Sequence, residues 1–159
     1  MRVIKNEQIV EDGWRLIADE LAIPAGDVII PLDRWLSERA NLSERGGKIG
    51  VVIDGAAKLE ELAGNLKRFD LIALDFAKYG DGRCFSHARL LRERFGYSGE
   101  LRAIGQVTKD FLFFMRRCGI DSFAVRDDKN IEDALKAFSE FSVKYQTAAD
   151  QAPPIYRLR

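Results

Sequence analysis

The sequence predicts an α/β fold of about five βα units on a mostly parallel sheet, preceded by a short N-terminal β-hairpin. Three observations lead there. Short apolar runs recur at residues 28–30, 49–53, 71–74, 101–104 and 122–125. Each is followed by apolar residues at helical spacing. Glycine, proline or asparagine punctuates most of the junctions. Strands alternating with helices make parallel sheets joined by right-handed crossovers.

Residues 1–20 alternate weakly, with Val3, Ile9, Val10, Trp14, Leu16 and Ile17, and Asp12 with Gly13 is a turn signal. They read as a hairpin covering an edge or one end of the sheet. Pro31 ends the first regular strand, and Leu32, Trp35 and Leu36 begin a helix running to about residue 42. Gly46 and Gly47 break the chain, and Asp54 with Gly55 turns the second strand into a helix marked by Leu59, Leu62 and Leu66. Phe85, Ala88, Leu91 and Phe95 are the buried stripe of the third helix, and Gly96 ends it in left-handed geometry. Phe111, Phe114, Met115 and Cys118 mark the fourth helix, with Thr108 placed to cap its start and Gly119 its end. Asn130 suits the cap of the last helix, with Ile131, Leu135, Phe138 and Phe141 facing inward. A single domain over residues 1–146 and a polar tail over 147–159 complete the expected organisation.

Two closures satisfy this order. One is an open doubly wound sheet with helices on both faces. The other is an incomplete (β/α) barrel closed off by the hairpin or by a second subunit, which would favour a homodimer. Residues 101–125 resemble the later repeats of phosphate-binding barrels.

The chain has 159 residues, 47% apolar and 31% charged, with a formal net charge of zero. That balance suits a soluble globular protein and argues against broad nucleic-acid binding, which needs a basic face. The cysteines, Cys84 and Cys118, form no CxxC pair and lie near no other obvious ligands, so no metal site is expected. The first residues lack the apolar run of a signal peptide, and no segment has the length of a membrane span, so the cytoplasm is the expected compartment.

In both architectures ligands bind beyond the C-terminal ends of the strands. That rule selects residues 31–33, 54–55, 75–83, 105–108 and 126–128. The third loop is the richest chemically. It holds Asp75, Lys78, Asp81, Gly82 and Arg83 ahead of a helix that carries Cys84, Ser86 and Arg89. Unpaired N–H groups and the helix dipole make a helix start suitable for an anion, with Lys78, Arg83, Ser86 and Arg89 around it. The plainer reading is a turn in which Asp81 caps the helix or pairs with an arginine. Asp75 and Asp81 are candidate proton carriers. Asp54 and Asp75 end adjacent strands, where paired carboxylates suit acid–base work or a metal. Cys84, at a helix start beside Arg83, is the candidate for a thiol of lowered pKa. Cys118 reads as a core residue, and His87, the lone histidine, as a surface residue. Arg89, Arg92 and Arg94 with Glu93 read as an ion-paired helix face or a partner-docking surface. Arg102, inside a strand, needs a partner such as Glu100 or an acidic loop.

The run Asp81, Gly82, Arg83, Ser86, Ala88 to Arg92, Arg94, Gly96, Tyr97, then Gly99, Glu100, Leu101, Arg102, Ala103 and Gly105 is distinctive. It resembles the bacterial DUF934 family, whose members are described as probable oxidoreductases involved in sulfite reduction. Asp110, residues 117–121, Phe123, Tyr145 and Gln146 extend the likeness, as do Ile30, Pro31, Leu32 and Trp35. The resemblance implies a setting beside a sirohaem sulfite reductase and its electron donor, and implies site or partner roles for Tyr97, Glu100, Arg102 and Asp110 as well as the loop residues. It departs at Cys84, where family members carry a small residue, and at Phe111, where they carry glutamine. A thiol mechanism on Cys84 would thus be particular to this chain. There is no dinucleotide fingerprint, haem motif or iron–sulfur cysteine spacing, so the sequence indicates no cofactor. The expectation is an accessory protein that assists a sulfite reductase or delivers electrons to it. The alternatives are a small enzyme that binds sulfite, sulfate or a phosphate ester at residues 75–89, and a non-catalytic scaffold.

Overall fold

A computed structural model describes residues 1–18, 22–77 and 81–139. Lys78, Tyr145, Gln146, Phe141 and the tail from residue 147 lie outside the described residues. Eight strands form one sheet: β1 (Arg2–Lys5), β2 (Gln8–Glu11), β3 (Arg15–Leu16), β4 (Val28–Pro31), β5 (Ile49–Ile53), β6 (Leu71–Phe76), β7 (Glu100–Gly105) and β8 (Ser122–Phe123). The helices are α1 (Leu32–Leu42), α2 (Leu59–Ala63), α3 (Arg83–Glu93), α4 (Lys109–Arg117) and α5 (Ile131–Lys136).

The strand order is β2-β1-β8-β7-β6-β5-β4-β3. From β4 to β8 each strand pairs in parallel with its predecessor, and among the described residues only the two pairings of β1, with β2 and with β8, are antiparallel. A doubly wound sheet reverses its strand order midway; this one does not. One face carries a large core in which Ile30, Val51, Ile72, Leu74, Leu101 and Phe123 meet Trp35, Leu62, Ala88, Leu91, Met115 and Ala134 from the helices. The other face carries a small apolar cluster of Ile29, Leu71 and Ala73, with Trp14, Val52 and Ile104 packed against it, and also buries Arg102 and Ser122. Of the two closures left open by the sequence, the doubly wound one is therefore not formed; the sheet is open and curled.

The connection between β2 and β3 shows how far the sheet curls. These strands are its two edges. Laid flat, eight strands would separate them by about 34 Å at ordinary strand spacing. Residues 12–14 can bridge at most about 14 Å. The sheet must curl, and its edges come close without hydrogen-bonding to each other. Arg102 on β7 completes the seam. Its Nη1 donates to Asp12 Oδ2 at 2.7 Å and its Nη2 to Glu100 Oε1 at 2.7 Å. Lys5 on β1 donates to the other Glu100 oxygen at 2.6 Å, and Arg102 Nε reaches Ser122 Oγ at 3.1 Å. The partner expected for a strand arginine is thus present twice.

The hairpin is shorter than residues 1–20. Its turn lies at Asn6 and Glu7, both at positive φ (49° and 62°), and Asp12 with Gly13 leads instead into β3 at the far edge. The second helix stops at Ala63 and a separate 3-10 turn holds Leu66. The last strand is two residues long, not four. Gly96 (φ 65°) and Gly119 (φ 104°) lie in the left-handed region just past α3 and α4. Asn130 accepts from the Asp133 N–H at 2.8 Å, whereas Thr108 makes no side-chain cap.

Candidate functional site

The ends of β3, β4, β5, β6 and β7 open into a cleft of about 690 Å³. Its walls are apolar, with Leu16, Pro31, Leu32, Val52 and Ile104 among them, and Asp33, Asp54 and Asp75 bring carboxylates to its lining. The size falls within the range of about 300–1,000 Å³ usual for small-molecule sites. This is the strand-end position selected from the sequence.

Asp75 occupies the penultimate position of β6 and is half-buried. Burial, and then the nearby Asp54 carboxylate, push its pKa above the ordinary aspartate value. Gly105 makes room for it: a Cβ there would lie 2.7 Å from Asp75 Oδ1, and the residue sits at φ +87°. Asp54 accepts from the Ala56 N–H at 2.8 Å, which folds its own loop back. The two carboxylates expected to end adjacent strands therefore do face one site.

The start of α3 is occupied from within the protein. Asp81 accepts the Arg83 backbone N–H at 3.1 Å and pairs with the Arg83 guanidinium at 2.8 Å from Nη2 and 3.0 Å from Nε. An external anion would have to displace this carboxylate. Gly82 stands at the cap position and Gly55 lies beneath the pair; a Cβ on Gly55 would come within 2.9 Å of Arg83 and 3.1 Å of Asp81. Ser86 is exposed on α3. Arg89 is exposed and engages Glu93 at 3.4 Å, the ion-paired face read from the sequence. Asp110 is exposed in the first turn of α4, where its charge suits the helix start.

Cys84 is buried, and its thiol donates to the Asp75 backbone carbonyl at 3.3 Å. Burial first, then the Asp81, Asp75 and Asp54 carboxylates, push its pKa up to about 12, against a smaller opposing effect of Arg83. The expected low-pKa thiol is overturned: the loop that supplies one arginine supplies more negative charge, and the helix buries the sulfur. Cys118 is a buried core residue as expected. His87 is half-buried rather than on the surface, beside the Asp54 backbone, and burial lowers its pKa. It lies on α3 beside the buried stripe, facing the Asp54 loop, a position that helical spacing alone did not mark.

Arg92, Tyr97, Glu100 and Arg102 lie away from the cleft. Arg92 donates to the carbonyls of Tyr97 (2.7 Å), Gly99 (2.8 Å) and Gly119 (2.9 Å) and to Asp121 Oδ2 (3.0 Å). Asp121 in turn accepts the Leu101 N–H at 3.0 Å. Tyr97 is buried and its hydroxyl donates to the Phe69 carbonyl at 3.0 Å. With the Arg102 network, these groups tie together the N-terminal ends of β6, β7 and β8. They lie at the end of the sheet opposite the cleft, so the distinctive run of residues 81–105 divides between the two ends.

Among the described residues no group of three or more His, Cys, Asp or Glu side chains is placed to hold a metal, and no helix is long and apolar enough to cross a membrane. No curated protein matches the chain. The family model described as a bacterial protein of unknown function, DUF934, matches residues 50–156, so the chain belongs to the DUF934 family.

Proposed function

We propose that this protein is an accessory component of assimilatory sulfite reduction, presenting the strand-end cleft to a sulfite reductase or to the donor that supplies it with electrons. The observation that supports this reading is the fit between motif and cleft. Asp81, Gly82 and Arg83 belong to the signature on which the likeness to sulfite-associated proteins rests, and the Asp81–Arg83 pair folds against Gly55, next to the Asp54 that lines the cleft. The expected result is that a strain lacking the protein grows on sulfide but fails on sulfate and sulfite. Equal growth on all three, with no second copy of the gene, would overturn the assignment.

A second reading is favoured by Asp75. A half-buried carboxylate with a raised pKa, beside a second carboxylate in a cleft, suits a group that gives and takes a proton. Under this reading the protein is a small enzyme and Asp75 carries the proton. Asp75→Asn should then abolish complementation of the deletion strain while leaving the fold and any reductase association intact. Full complementation by that variant would leave the accessory role alone standing.

A further inference from the structure

We infer a second ligand site, for a small oxyanion of the sulfate or phosphate type, in a separate cleft at the opposite end of the sheet. The cleft measures about 240 Å³ and is lined by Arg39, Arg45 and Arg68, with Trp35 and Ile49 among its apolar walls and Asp70 as the one carboxylate. Three guanidiniums face one acid in a space below the usual range for larger organic ligands, about 300–1,000 Å³. The inference is independent of the proposed function and of the strand-end cleft.

Arg45 is the fixed part of the site. Its Nη2 donates to the carbonyls of Pro24 and Gly26, the latter at 2.9 Å. The loop beneath is held tightly, because a Cβ on Gly47 would overlap the Gly26 carbonyl and Lys48 donates its N–H to Asp27 Oδ1 at 2.8 Å. The same guanidinium leaves its Nη1 buried and without a hydrogen-bond partner. A buried charged donor left unmatched is costly, and the negative charge of an anion in the adjoining cleft would offset part of that cost. Arg39 stands in the last turn of α1 and Arg68 ends the 3-10 turn before β6. Neither makes an ion pair with a carboxylate among the described residues. Arginines near the carbonyl end of a helix also answer its dipole. That accounts for Arg39, but not for Arg68 arriving from another element or for the buried Nη1.

Planar guanidiniums match tetrahedral oxyanions through paired hydrogen bonds, and the pre-set Arg45 reduces what must be ordered on binding. The test is calorimetric titration of the full chain with sodium sulfate at low ionic strength, repeated for an Arg39→Gln, Arg68→Gln double variant. Arg45 is left in place because it supports the loop. Saturable binding that weakens at least tenfold in the double variant is expected, with the thermal midpoint in sulfate-free buffer unchanged or raised as like charges are removed. Absence of saturable binding, or equal affinity in both proteins, would overturn the inference. So would loss of binding in Arg83→Gln rather than in the pair, which would place the anion at α3.

Discussion

Asp75 and Glu100 are carboxylates on neighbouring strands that respond to their surroundings in opposite ways. Burial raises both, but at Glu100 the hydrogen bonds and charges of Lys5, Arg102 and Ser122 outweigh it and hold the pKa below the ordinary glutamate value. Asp75 has no such compensation, and Asp54 adds to the rise. The signs follow from linkage. Glu100 contributes stability above its unfolded pKa of about 4.3, and that contribution is lost as pH falls through the lower folded value. Asp75 does the reverse: ionising it in the fold costs stability, and the cost is relieved as pH falls toward the ordinary aspartate value of about 3.9. Urea denaturation between about pH 3 and 8 should show Asp75→Asn gaining on the wild type as pH rises and Glu100→Gln losing. A wild-type advantage over Asp75→Asn that grows toward neutral pH would contradict the raised pKa.

Among the elements, the start of α3 packs against the β5–α2 loop, whose Asp54, Ala56 and Ala57 line the cleft. Gly55→Ala should push Asp81 and Arg83 away from the loop, at a cost of about 1–3 kcal/mol for forcing atoms into a filled space. Gly64→Ala, with nothing within 4 Å of the added methyl, is the control and should be near neutral. Equal denaturation midpoints for the two variants would show that this contact yields easily. The same elements mark what the sequence made legible. β4 to β7 are apolar runs because they are covered on both faces, and the strand-end rule then located five loops with no knowledge of closure. β3 escaped notice because it is the exposed pair Arg15 and Leu16, and its partner could only be known once β4 was placed. Asp54 and Asp75 were paired correctly because each ends a strand. The Asp81–Arg83 ion pair and an anion site look identical in sequence, since both need a glycine turn, a helix start and an arginine; only the side-chain geometry separates them. Cys84 misled because position on the helix suggested the local charge, while burial depended on a phase the stripe of apolar residues did not resolve.

For the molecule as a whole, the seam is held by one ion pair, Arg102 with Asp12, whose side chains are 3% and 5% exposed. Removing Asp12 takes one of two carboxylates from a buried guanidinium that keeps Glu100, so Asp12→Ala should destabilise the protein by about 1.5–3 kcal/mol, the loss of a hydrogen bond to a charged group. Amide exchange should quicken first at β2 and β3, the two edges that residues 12–14 draw together. Uniform acceleration over all strands would mean that the seam opens only with global unfolding. The arrangement also fixes a timetable for synthesis. β1 lies against β8, the last strand, with Ile4 opposite Phe123. While the chain emerges from a ribosome, β4 to β7 can each join the strand made before them, but the β1–β2 hairpin has nowhere to dock until β8 appears. Lys5 waits for Glu100, and Asp12 for Arg102. A fragment limited to residues 50–156 would therefore carry the family's sequence while lacking the opening residues on which Arg102 and Glu100 depend.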